Sequence, residues 1–241
     1  MFQGFFNYDN PVWRFIGKLG DLILLNLLWT VCSIPIVTIG ASTTAVYYVT
    51  MKMVRDENDG TIRGFFRSFK ENFRQATAIW LIFLAVGLIL AFDIWFFVTG
   101  QSPVTGAAGM FLTAISGGMM LLYVFTYTYV FPIQARFYNP VRHTIRNAFV
   151  MSVRHLFQTV GIVCLDILLV IGAVASLFYM PQISALFILF GMPLWAFANS
   201  YLFVPIFKRY SPEERDVSEM KPLFDDEDES VKEAVDRLKN E

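Results

Sequence analysis

The chain has 241 residues, of which 56% are hydrophobic and only 16% charged, and its formal net charge is -1. That composition excludes an ordinary water-soluble domain, and the near-neutral balance makes no case for nucleic acid as a partner. Two cysteines, Cys32 and Cys164, both sit in apolar segments; they read as small packed residues and do not suggest a disulfide framework.

Crossing a bilayer takes ~20 apolar residues at ~1.5 Å rise each, so the long runs with one charge or none mark a polytopic membrane protein of the all-α class. The runs are residues 19–48, 76–98, 107–131, 160–179 and 183–207. An aromatic, mixed-charge stretch precedes the first and no small-residue cleavage site follows a short apolar core, so the first run is expected to stay in the protein.

The first run is the unusual one. Arg14 and Lys18 precede it, and Lys52, Arg55, Arg63, Arg67, Lys70 and Arg74 follow it. Positive charge collects on the cytoplasmic side, and a single crossing would separate the two blocks. A turn near Pro35 and Gly40, inside "SIPIVTIGASTTAVYY", resolves this: residues 19–34 run out and residues 41–54 return, with Ser42, Thr43 and Thr44 expected to cap the return helix.

The later connections agree. Residues 99–105 and 180–182 carry no Lys or Arg, whereas Arg136, Arg142, Arg146 and Arg154 lie between them and Lys208 and Arg209 close the last run. Six transmembrane helices with both termini in the cytoplasm put every Lys and Arg on one side, and five do not. The first two are short for a ~30 Å core, which leaves a re-entrant hairpin as the alternative to full crossing.

Two segments repeat at an offset of 83 residues, "TIRGFFRSFKENFRQ" from Thr61 and "TIRNAFVMSVRHLFQ" from Thr144. In the first, Ile62, Phe65, Phe66, Phe69 and Phe73 share one helical face and Arg63, Arg67, Lys70 and Arg74 lie off it, which predicts amphipathic cytoplasmic interfacial helices in a parallel repeat. The arginines, Arg63, Arg67, Arg74, Arg146 and Arg154, are the candidate docking face for a protein, with anionic membrane lipid as the other reading. Residues 1–210 form the membrane domain. Residues 211–241 hold 12 acidic and 5 basic side chains and form an acidic cytoplasmic tail, where Ser230 and Glu233 have capping-box spacing ahead of Val231, Val235 and Leu238.

The stretches "GFFNYDNPVWRFIGKLGDLILLNLLW", "SIPIVTIGASTTAVYYV" and "FFRSFKENFRQA", in this order, resemble the YesL-like family of bacterial integral membrane proteins, whose biochemical function is undefined. The resemblance covers most of residues 1–210 and is strongest in the first 80. It implies a role in carbohydrate uptake, because members are typically encoded beside carbohydrate ABC transporters and polysaccharide-degrading enzymes. It brings no catalytic residues.

No phosphate-binding loop, zinc-protease motif, nucleophile elbow or paired-cysteine motif occurs, so neither an enzyme nor a cofactor or metal site is expected. His143 and His155 read as surface residues. Buried ionisable groups carry more weight in a bilayer: Asp166, in "GIVCLDILLVIG", falls ~14 Å into its helix, and Asn26 and Asn199 fall at similar depth. These three form the candidate intramembrane polar site. Asp21 and Asp93 fall near helix ends, as do Trp13, Trp80 and Trp95, the latter read as interface anchors, while Trp29 and Trp195 read as packing.

Two functions follow. One is a non-catalytic accessory of a carbohydrate ABC transporter, able also to form a homo-oligomer; the other is a small transporter or channel with Asp166 in its path. A permease subunit proper would carry a cytoplasmic E-A-A-x-x-x-G loop, and neither loop does.

Overall fold

The structure, a computed structural model, describes residues 11–57, 60–99 and 106–210. Their regular structure is helical: α1 (Pro11–Cys32), a 3-10 turn (Ile36–Thr38), α2 (Ile39–Val54), α3 (Thr61–Val98), α4 (Gly106–Arg136), α5 (Val141–Arg154), α6 (Leu156–Tyr179) and α7 (Pro181–Lys208). Among the described residues five helices, α1, α3, α4, α6 and α7, are long and apolar enough to cross a membrane. Many of their large apolar side chains are exposed, among them Leu88, Phe111, Leu168 and Phe178. Such a surface is stable against lipid and not against water. The chain divides into two compact units, Met1–Phe203 and Val204–Glu241; the description that follows concerns the first. The acidic tail with Ser230 and Glu233 lies outside the described residues.

The break in the first run falls where it is expected, but its chemistry differs. Pro35, which has no N–H, opens the 3-10 turn in an extended conformation. Thr38 Oγ1 sits 2.6 Å from the Cys32 carbonyl oxygen and 2.7 Å from that of Pro35, and Trp80 Nε1 of α3 donates to the Ile36 carbonyl at 2.8 Å. Trp80 thus secures the turn, a different role from the interface anchor expected of it. Ser42, Thr43 and Thr44 are not caps. They lie inside α2, where Ser42 donates to the Thr38 carbonyl and Thr44 to that of Gly40. Short hydroxyl side chains return to the preceding turn in this way when no water is available. The first helix is also longer than expected, at 22 residues.

Of the 16 residues in α2, 12 are buried. It packs against α1, α3 and α4, and the smallness of "GASTTA" is what lets neighbours approach. A Cβ at Gly40 would collide with the Ala76 carbonyl oxygen and Trp80 Cβ of α3. At the other end Asp21 accepts from Thr61 Oγ1 at 2.6 Å and Asp56 pairs with Lys18 at 2.9 Å, tying the base of α1 to the α2–α3 connection.

The two repeated segments fold differently. The first is no separate interfacial helix: it continues without interruption into the apolar run, so α3 has 38 residues, about 57 Å. The second is separate, because α5 ends at Arg154 and His155 leaves the helical conformation at φ -108° and ψ 43°. His155 is buried in that break, contrary to the surface position expected. The repeat nevertheless extends to packing. Thr61, Phe65, Ala76 and Ile79 are buried, and so are the residues 83 positions on, Thr144, Ala148, Thr159 and Ile162. The aromatic stripe is therefore not the buried face of α3: Phe65 is inside, while Ile62, Phe66 and Phe73 are exposed beside it.

A buried amide holds the ends of these helices together. Gln134 of α4 donates to Asn72 Oδ1 at 2.9 Å and Gln75 Oε1 at 2.8 Å, both on α3, and its Oε1 accepts from Thr144 Oγ1 of α5 at 3.0 Å. Further along, Phe83 of α3 packs on Tyr123 and Tyr127 of α4, and the Tyr123 hydroxyl donates to the Phe83 carbonyl.

Candidate functional site

Asp166 lies on α6, ten residues from its first residue, and faces α7. Trp195 Nε1 and Asn199 Nδ2, one turn apart on α7, both donate to the same carboxylate oxygen, Oδ1, the second at 2.7 Å. Trp195 is thus a hydrogen-bond donor as well as packing, which an apolar run does not reveal. The buried Tyr47 of α2 lies beside both Asp166 and Asn199. Asn199 is fully buried, and among the described residues its Oδ1 has no hydrogen-bond partner. The carboxylate therefore joins α6 to α7, and next to it stands an amide oxygen with acceptor capacity to spare.

Asn26 does not join this group, although the sequence places it at a similar depth. It serves a second break. Gly191 interrupts α7 at φ 40° and ψ -134°, and Pro193 two residues on has no N–H to give to the Leu189 carbonyl. Asn26 Nδ2 of α1 supplies what is missing, donating to the Ile188 carbonyl at 2.9 Å and the Leu189 carbonyl at 3.0 Å. Only glycine fits at 191. Its φ lies in the left-handed region, and a Cβ there would collide with the Asn26 side chain. A third contact, Thr50 of α2 with Ser200 at 2.9 Å between hydroxyl oxygens, completes the attachment of α7. Hydrogen bonds of this kind hold helices together where burial from lipid supplies no hydrophobic drive.

The candidate docking arginines lie apart from these polar groups. Arg63, Arg67 and Arg74 on α3 and Arg146 and Arg154 on α5 are all exposed. Arg67 pairs with Glu71 at 3.1 Å within its own helix. No ion pair of Arg63, Arg74 or Arg146 occurs among the described residues. The described residues hold no group of three His, Cys, Asp or Glu side chains placed to bind a metal ion. Gln134, Trp195 and Gly191 are the functional-looking residues that sequence reading passes over. The "GMP" triplet at Gly191 was the available signal for the last of them.

Compared with known proteins, residues 22–94 match the family model described as "Protein of unknown function, DUF624". The match runs from α1 through α2 into α3, the region where the resemblance drawn from the motifs is strongest. No curated protein and no solved structure was matched.

The α7 clamp makes a measurable prediction. Removing it by Asn26→Ala exposes two carbonyls to an apolar surrounding and should cost roughly 1–2 kcal/mol, whereas Gly191→Ala should cost more, about 2–4 kcal/mol, through strain and collision. Because the collision is with Asn26 itself, the double variant should be more stable than the sum of the two losses implies. Thermal unfolding in mild detergent measures all three, and strict additivity would rule out the contact.

Proposed function

We propose that the chain is a non-catalytic protein of the cell membrane that assists carbohydrate uptake as an accessory partner of an ABC transporter. The YesL-like resemblance supports the uptake role. What carries the docking reading is the exposed basic surface of α3 and α5, where Arg63, Arg74 and Arg146 are not consumed by the fold. Guanidinium groups on rigid helices, presented away from the buried polar contacts, suit carboxylates on a partner subunit. Lipid covers the exposed apolar faces, with a second copy of the chain as the other cover open to a homo-oligomer.

In this reading both termini are cytoplasmic and α3, α4, α6 and α7 cross the bilayer, while α1 and α2 form a re-entrant hairpin. Support comes from the hairpin tip, where Ile34, Ile36 and Val37 are 75%, 65% and 46% exposed. Apolar side chains at such a turn suit lipid, and its Cys32, Pro35 and Ile36 carbonyls already have donors in the protein, as backbone at membrane depth requires. Four crossings keep the basic blocks on one side, as six do.

A second reading, a transporter or channel with Asp166 in its path, is favoured by the interrupted α7 and the spare oxygen of Asn199. Transporters place substrate ions at broken helices of this kind.

Three measurements follow. In protein lacking Cys32 and Cys164, an impermeant thiol reagent applied outside should label cysteine at Thr99 and Gln182 but not at Val37 or Glu57. Labelling at Val37 would restore two full crossings by α1 and α2. For docking, Arg63→Lys with Arg146→Lys should insert normally yet bind co-expressed transporter subunits about tenfold more weakly, near 1.4 kcal/mol; unchanged co-purification speaks against it. Asp166→Asn preserves shape and hydrogen bonding, so under the accessory reading folding and sugar-dependent growth should both persist. Growth lost with the fold intact would instead establish the transport reading.

A further inference from the structure

The last turns of α2 and the first turns of α3 enclose a cavity of about 540 Å3, lined chiefly by Tyr48, Lys52, Gly60, Arg63, Gly64 and Arg67. Three of these side chains are cationic, and among the described lining residues none is acidic. From Gly60, the residue just ahead of α3, the lining positions fall at i, i+3, i+4 and i+7, alternating glycine with arginine. The glycines provide depth and the arginines provide the wall. A Cβ at Gly64 would stand 3.4 Å from Val49 Cγ2 and 3.8 Å from Tyr48 Cε1, so a longer side chain there would occupy the cavity. Across from it, Lys52 Nζ stands 5.2 Å from the centre of the Tyr48 ring, a cation–π contact that steadies the ammonium group. Glu71, outside the cavity, accepts from Arg67 Nε and orients that guanidinium.

The residues that line the cavity are specific to the first repeat. Eighty-three residues on, Gly60, Gly64 and Arg67 are replaced by His143, Asn147 and Val150, and only Arg63 has an arginine counterpart, Arg146. The cavity residues are therefore not a by-product of the repeated helix. Beside it on α3 the exposed Ile62 and Phe66 continue as an apolar flank. A ligand matching both surfaces has an anionic head and an apolar body.

The geometry points to a binding site for a phosphate group, presented by an anionic phospholipid whose acyl chains follow Ile62 and Phe66. Two guanidinium groups offer planar, paired donors to phosphate oxygens, and the lysine adds a third charge. A soluble phosphate monoester offers the same head without the apolar body. The site shares Arg63 and Arg67 with the proposed docking face but not Lys52 or Gly64, so variants at those two positions test it separately.

Native mass spectrometry of the full-length protein in mild detergent, titrated with phosphatidylglycerol, phosphatidylcholine or glycerol 3-phosphate, tests it. Phosphatidylglycerol should be retained at one molecule per chain, about tenfold more tightly than phosphatidylcholine. Gly64→Leu, which fills the cavity and keeps every charge, and Lys52→Gln should each weaken retention about fivefold or more, whereas Arg146→Gln, an equal charge change elsewhere, should not. Competition by glycerol 3-phosphate at similar concentration would support the phosphate site and assign it to a soluble ligand. Equal retention of the two lipids without glycerol 3-phosphate binding would overturn the site. So would equal losses in Arg146→Gln and the cavity variants, which would mark diffuse attraction. Circular dichroism and a single elution peak qualify each variant as folded. If Gly64→Leu does not qualify, Lys52→Gln against Arg146→Gln decides alone.

Discussion

Where a helix stops inside this protein, its last carbonyls must find donors without water. That requirement shapes each interior break. At the α1–α2 turn, Thr38 and Trp80 meet the Cys32, Pro35 and Ile36 carbonyls. At the α5–α6 break, Thr159 Oγ1 lies 2.8 Å from the Ser152 carbonyl oxygen. Inside α7, Asn26 meets the Ile188 and Leu189 carbonyls. A carbonyl left unpaired in such surroundings is destabilising, so each donor contributes to holding the break it serves.

Two of these donors come from a different helix, which turns a local need into a long-range contact. Trp80 fixes α3 against the α1–α2 turn, and Gly40 lets the backbones approach closely enough for it to reach. Asn26 fixes α1 against the middle of α7. Together with the Thr50–Ser200 contact and the Asp166 carboxylate, α7 is held by polar groups from α1, α2 and α6. A helix held by few, directional bonds has a defined position yet a limited number of contacts to change if it moves, which is the physical basis for considering transport beside the accessory role.

The polar interior and the basic exterior are separate systems. Asp166, Asn199 and Trp195 are spent on joining helices, with one amide oxygen in reserve. Arg63, Arg74 and Arg146 are exposed and make no ion pair among the described residues, and α3 in particular presents three faces: a buried one through Phe65, an apolar one through Ile62 and Phe66, and a basic one through Arg63 and Arg67. One helix can therefore be held by protein, touched by lipid and offered to an anion at once. The match of residues 22–94 to a family of unknown function falls on this part of the chain.

Composition, run length and charge placement were enough to determine a helical membrane protein, a break near Pro35 (although Gly40, expected in the turn, lies inside α2), and a repeat at 83 residues, because bilayer thickness and helical periodicity act on the sequence directly. They also marked Asp166 and Asn199, since a carboxylate or amide in an apolar run needs a partner somewhere. Which partner it finds is decided by tertiary structure. Asn26, at similar depth, was drawn to carbonyls that Gly191 and Pro193 release, and a backbone carbonyl leaves no trace in the sequence of the helix that must satisfy it. Trp195 looks like packing until Asp166 is placed opposite its N–H. The first amphipathic segment fuses with the apolar run to form α3 while the second stops at His155, although the two segments look alike. Periodicity reports that a residue has a face; only packing decides whether that face meets protein, lipid or an open cavity.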